Sequence, residues 1–242
     1  MVLKHWFRSS MRMDVTMNSI IITGCTSGLG KAFHDKVTSI AQPQVQYVFL
    51  GRNLKRLNQS PQHLYQEIDL LNEIEIDWNE LYSSNRPDSI TLISNAGLIH
   101  PLGAISQDKQ GLFRDSIKVN LIAPSELTSS LVLWTRANNI DVKIINISSG
   151  AALTAIAGWG AYCMSKSGFK MFLDVVELEN THVEVLHFDP GVIDTNMQKS
   201  IRSANAQDFP LVDSFREFER EGKLKSADEV VLELLGLCDL AL

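Results

Sequence analysis

Cysteine is scarce in this chain, and its three copies, Cys25, Cys163 and Cys238, lie far apart. Such a set offers neither a disulfide framework nor zinc-ligand spacing, and it suits a reducing compartment, so a cytoplasmic location is expected. Basic residues are in deficit, 22 Lys and Arg against 28 Asp and Glu for a net charge of −6, which argues against a nucleic-acid partner. The histidines (His5, His34, His63, His100, His182 and His187) are scattered, so no metal is expected. Long apolar runs are missing as well. Residues 144–165 carry no charge and could cross a bilayer on length alone, but Asn146, Ser148, Ser149, Thr154 and glycines interrupt them, and no membrane span is expected. Residues 1–17 hold Lys4, Arg8 and Arg12 without an apolar core of signal-peptide length, and are read as a frayed N-terminal extension.

What is present is ordinary globular composition, 45% hydrophobic and 21% charged over 242 residues, with no repeat or linker to divide it. Strand-like runs at 19–23, 45–50, 63–68, 89–94, 142–147 and 183–188 alternate with helical stretches, the clearest at 27–40, 109–137 and 161–178. Continuous Ile, Val and Leu runs are the mark of strands buried on both faces. Residues 18–242 are therefore expected to form one α/β domain, a Rossmann-like doubly wound parallel sheet with helices on both faces. Ser226 opens a final helical run that leaves little chain before Leu242, so six strands are expected rather than seven.

The first strand runs into Thr23-Gly24-Cys25-Thr26-Ser27-Gly28-Leu29-Gly30 and then a helix. Three glycines there let the backbone turn sharply and approach a pyrophosphate held at the helix N-terminus. The second strand ends in Gly51-Arg52-Asn53, where an acidic residue would hold a ribose 2′-hydroxyl. A guanidinium in its place suits a 2′-phosphate, pointing to NADP(H) rather than NAD.

Tyr162 and Lys166 stand four residues apart, one helical turn along a single face. A carbonyl accepting hydride needs a proton donor, and a nearby ammonium is expected to draw a phenol toward working pH. Ser149 lies thirteen residues before Tyr162, just past the fifth strand, with Ser148 as its rival for bonding the substrate oxygen.

The T-G-x-x-x-G-x-G loop, Asn95-Ala96-Gly97 after the fourth strand, the Ser149, Tyr162 and Lys166 set and Pro190-Gly191-x-x-x-Thr195 occur in the order seen in the short-chain dehydrogenase/reductase family, which this chain resembles from residue 18 to about 200. The resemblance implies that Asn120 is a fourth catalytic residue, holding a water that relays protons to Lys166, which also bonds the nicotinamide ribose. It implies cofactor contacts from Gly24, Thr26, Ser27, Gly28, Leu29, Gly30, Arg52, Asn53, Asp69, Leu70, Asn95, Ala96, Gly97, Pro190, Gly191, Ile193, Thr195 and Met197. It also implies a homodimer or homotetramer built through the 109–137 and 161–178 helices.

Local strings around Gly158–Cys163, Asp189–Gln198 and Glu221–Leu224 resemble the sepiapterin and benzil reductase branch of that family. An NADPH-dependent carbonyl reductase for a ketone or vicinal dicarbonyl is the expectation, with Ser149, Tyr162, Gly191 and Trp159 at the substrate. Trp159 either stacks on a flat substrate or packs the loop. Residues 204–222 are expected to cover the substrate. The branch's pterin-anchoring aspartate has no matching string near Leu242, which leaves pterin preference open. A catalytically weak NADP(H)-binding sensor or interaction protein on the same scaffold is the competing reading.

Overall fold

The computed structural model describes residues 17–105 and 110–240; of the expected N-terminal extension, all but Met17 falls outside them. Six parallel strands form one sheet in the order β3-β2-β1-β4-β5-β6. They are β1 (Asn18–Thr23), β2 (Val45–Gly51), β3 (Leu64–Glu67), β4 (Ser89–Ser94), β5 (Asp141–Ile147) and β6 (Val183–Phe188). The chain winds outward from β1 to β3 and then restarts on the other side of β1 with β4. Neighbouring strands that leave the sheet in opposite directions open a crevice at their C-terminal ends, between β1 and β4.

Both faces of the sheet are buried, which is why the strands are apolar without alternating. On β1, Ile20 and Ile22 join Phe49 against α1 (Gly28–Thr38) and α8 (Ala227–Leu237). Ile21 points the other way, with Val48, Leu50, Leu92 and Ile144, onto α4 (Ala123–Asn138) and α5 (Gly160–Glu179). The period of two has sorted one isoleucine run into two cores. A four-residue helix, α2 (Trp78–Leu81), is capped by Asp77 and covers the second core. Ser226 caps α8 in a capping box with Glu229, as its sequence signature requires.

One helical expectation is corrected. The stretch expected as a single helix over 109–137 is α3 (Gln110–Ile117) followed by a π-helical turn over Lys118–Ile122 and then α4. Pro124 explains the break. It has no N–H for the Asn120 carbonyl four residues earlier, and its ring crowds that oxygen, so the chain widens by one residue there. Lys109 lies outside the described residues.

After β6 come α6 (Asn196–Arg202) and α7 (Val212–Arg220), which fold back over the C-terminal end of the sheet. The Arg202 guanidinium is 9% exposed and reaches Glu219 at 2.8 Å, tying α6 to α7.

Candidate active site

The crevice at the β1–β4 junction is a cavity of about 620 Å³. Its walls come from the loop after β1, the ends of β2, β4 and β5, the start of α5, and the segment after β6.

The glycine loop is shaped by contact with the β4 turn. Thr23 is buried, and its hydroxyl accepts the N–H groups of Asn95 and Ala96 at 3.0 Å each, while the Asn95 amide donates to the Thr23 carbonyl at 2.8 Å. The two strand ends are thus laced together. A Cβ on Gly30 would stand 2.3 Å from the Gly24 carbonyl oxygen, and one on Gly24, at φ +72°, 2.9 Å from Ala96 Cα. Only glycine fits either place. Ser27 leads into α1 with no side-chain cap bond, so the first-turn N–H groups have no side-chain partner from it. Thr195 stands against this loop, its methyl 3.4 Å from where a Cβ on Gly28 would be.

At the far end of the cavity Arg52 is exposed at the tip of β2, and its nearest ion-pair contact is a long 3.7 Å approach to Asp69. Exposed pairs at that distance are weak, so the guanidinium keeps most of its hydrogen-bonding capacity. Leu70 is buried behind Asp69 against Val119 and Ala123.

At the other end stand Ser149, Tyr162 and Lys166. Ser149 follows β5 in extended conformation; Tyr162 and Lys166 share the inward face of α5 and are 6% and 7% exposed. Ser149 is the serine whose hydroxyl acts on the Tyr162 phenol, and its Oγ accepts the Ala151 N–H at 3.2 Å. The Lys166 ammonium donates to the Ile147 carbonyl at 2.7 Å and lies 5.8 Å from the Tyr162 ring centre. The expectation that Lys166 draws the phenol down is corrected. Burial pushes Tyr162 up to about 12, with Ser149 opposing and Asp189 adding to the rise. The same burial brings Lys166 down to about 8, partly offset by Asp189. Both shifts favour the uncharged forms, so the phenol keeps its proton available for donation.

Asn120 sits on the π turn, 3% exposed and behind the cavity wall rather than on it. Its Oδ1 accepts the Leu98 N–H and its Nδ2 donates to the Leu98 carbonyl, both at 2.7 Å; a further contact reaches Ser165 at 3.2 Å. Ser165 in turn donates to the Tyr162 carbonyl at 2.9 Å. The asparagine thus couples the loop after β4 to the helix that carries the tyrosine.

Of the other expected residues, Gly24, Thr26, Ser27, Gly28, Leu29, Asn95, Ala96, Gly97, Pro190, Gly191, Ile193, Thr195 and Met197 border the cavity; Gly30 and Asn53 do not. Gly30 acts through packing, and Asn53 donates its N–H to Glu67 at 3.3 Å. Trp159 borders the cavity but is 5% exposed, stacked on Phe209 at 5.1 Å with rings 2° from parallel, and edge-on to Tyr162. One broad face of the indole is thus covered by Phe209. Phe209 and Val212 are fully buried against Trp159 and Tyr162, and of residues 204–222 Phe215 borders the cavity. Sequence reasoning missed Thr23 and Asp189. A threonine before the first loop glycine was a usable signal for Thr23; Asp189 offered none beyond its place before Pro190-Gly191.

The profile of the short chain dehydrogenase family matches residues 18–206. Benzil reductase ((S)-benzoin forming) of Bacillus cereus is 34% identical over 92% of this chain and 94% of its own length. Sepiapterin reductase of Rattus norvegicus is 28% identical over 90% of this chain and 89% of its own. Among solved structures, the KRED1-Pglu enzyme superimposes with a TM-score of 0.78 at 21% identity, covering 93% of this chain and 96% of that one. A short chain dehydrogenase from Burkholderia cenocepacia in complex with NADP gives 0.68 at 20% identity, covering 95% and 87%. With the strand order, the glycine loop and the Ser149, Tyr162 and Lys166 set in place, the chain belongs to the short-chain dehydrogenase/reductase family of oxidoreductases.

Proposed function

We propose that the protein is an NADPH-dependent carbonyl reductase acting on a ketone or vicinal dicarbonyl of the benzil or sepiapterin kind. The observation that carries this reading is the placement of Ser149, Tyr162 and Lys166 together on the wall of one cavity, with the Lys166 ammonium 5.8 Å from the tyrosine ring centre. Relatives named benzil reductase and sepiapterin reductase support the substrate class.

The cavity residues fit a dinucleotide. The glycine loop and the start of α1 would receive the diphosphate, Arg52 the 2′-phosphate, Asp69 and Leu70 the adenine edge, and Thr195 with its neighbours the carboxamide end. When bound, the reduced dinucleotide supplies the hydride. Ser149 then donates to the substrate oxygen and holds it toward Tyr162. As negative charge gathers on that oxygen, the phenol gives up its proton. A phenol at about 12 can do so because an alkoxide is a far stronger base than a phenolate. Tyr162, Lys166 and Trp159 are buried, and the cover formed by α6 and α7 keeps water from this end.

The same reading takes the protein as cytoplasmic and as a homodimer or homotetramer. Exposed Leu133 on α4 and exposed Met171 and Leu178 on α5 support pairing through those helices, and light scattering would measure it. The activity test is NADPH oxidation with benzil and sepiapterin in parallel. Turnover of benzil by the wild type and its loss in Tyr162→Phe are expected. Near-full turnover in Tyr162→Phe would reject the mechanism. NADPH binding with no turnover of either compound would favour the sensor reading.

A further inference from the structure

Five charged or titratable acid–base side chains besides Tyr162 border the cavity among the described residues: Arg52 and Asp69 at one end, and His100, Lys166 and Asp189 toward the other. Their surroundings differ sharply. Arg52 and Asp69 face each other. Lys166 is buried and its ammonium donates to the Ile147 carbonyl. Asp189, the first residue after β6, is exposed and makes no ion pair among the described residues. Its Oδ1 accepts the Gly191 N–H at 2.9 Å, which fixes the side chain in a tight turn. Its Oδ2 is left over Gly150, 3.9 Å from where a Cβ on that residue would stand. Gly150 adjoins Ser149, the residue placed to hold the substrate oxygen. The carboxylate is close enough to Tyr162 and Lys166 for its field to act on both.

We infer that Asp189 is a charge-selecting residue for the substrate, one that turns away carbonyl compounds bearing a carboxylate next to the reacting carbon and admits their neutral counterparts. The inference rests on the carbonyl-reductase reading and narrows its substrate class to neutral ketones, esters of 2-oxo acids and dicarbonyls, with 2-oxo acids excluded. An incoming anion meets an exposed, fixed negative charge, whereas Lys166, which also borders the cavity, is largely buried with its ammonium donating to the Ile147 carbonyl. Two like charges several ångströms apart at the dielectric of a protein surface cost about a tenfold loss in binding or more. Neutral carbonyls do not meet this repulsion.

The test compares two probes with the same reacting ketone, methyl phenylglyoxylate and the phenylglyoxylate anion, at one pH so that His100 contributes equally to each variant. The readout is the ester-to-acid ratio of kcat/KM with NADPH, in which any general loss of activity cancels. Asp189→Asn keeps the oxygen that accepts the Gly191 N–H and removes the charge; its ratio is expected to fall about tenfold. Asp189→Glu keeps the charge and is expected to hold the ratio within about threefold of wild type. Where turnover of the acid is too slow to measure, its Ki against the ester replaces it and is expected to drop about tenfold in Asp189→Asn. A ratio unchanged in Asp189→Asn, or one that moves equally in both variants, overturns the inference while leaving the reductase reading intact. Failure of the wild type to reduce the ester or benzil rejects that reading and the inference together.

Discussion

The Lys166 ammonium donates to the Ile147 carbonyl, 2.7 Å away at the end of β5, and stands 5.8 Å from the ring centre of Tyr162. The lysine is therefore anchored to the sheet. Burial acts on both in the direction that removes charge.

The pH profile of carbonyl reduction follows from this anchoring. Lys166 is held near 8, so it is an ammonium below that value and loses its proton as pH rises through it. If the charged form supports proton delivery, kcat/KM at saturating NADPH is expected to be level below about pH 7 and to fall about tenfold per unit well above 8. Lys166→Arg stays charged throughout and should lack that limb, whatever its absolute rate. The same limb surviving in the arginine variant would assign the titration to another group.

Cofactor choice is expected to depend on Arg52. Charge-assisted hydrogen bonds contribute about 1.5–3 kcal/mol, which corresponds to roughly a tenfold to hundredfold change in affinity. Arg52→Ala should weaken NADPH by that factor and change NADH little, as read by titration calorimetry. Equal losses for both dinucleotides would show that the arginine does not read the 2′-phosphate.

Asn120 is expected to matter to stability as well as to turnover. Its side chain satisfies both the N–H and the carbonyl of Leu98 at 2.7 Å in a buried place. Asn120→Ala leaves those groups unpaired, for a destabilisation of about 2–3 kcal/mol in urea denaturation. A variant as stable as wild type would mean that water takes over both bonds.

Acid is expected to weaken the fold through His63. Burial holds its pKa below the ordinary 6.5, and His34 nearby pushes the same way. Below that ordinary value the unfolded chain takes up a proton more readily than the native one. The contribution is thus complete above about pH 6.5 and is lost as pH falls from there toward the depressed native value. Urea midpoints at pH 7.5, 6.5 and 5.5 should decline, and less steeply in His63→Leu.

The six strands and their helices were legible because an isoleucine run such as 20–22 has few other homes than a doubly covered strand. The glycine loop was legible for a similar reason, since Gly24 and Gly30 answer to contacts no side chain permits. The π turn was not. A helix-period pattern runs through 110–137 without a gap, and the one signal against a regular helix, Pro124, bears on the carbonyl of Asn120 four residues earlier. The placement of Asn120 behind the wall follows from that turn. The Tyr162 and Lys166 shifts were also out of reach, since the four-residue spacing tells which side chains are neighbours but not how deeply the fold buries them. Trp159 divided in the same way: its nearness to the tyrosine was readable, and its partner Phe209, far along the chain, was not.

The parallel stack of Trp159 on Phe209 ties the segment between α6 and α7 to the residue that opens α5, three residues ahead of Tyr162. Trp159 and Phe215 border the cavity and Phe209 does not, so Phe215 reaches Tyr162 through the indole that lies against both. Change along α7, at Phe215 for instance, is therefore expected to alter which molecules fit and to be felt by both rings of the stack.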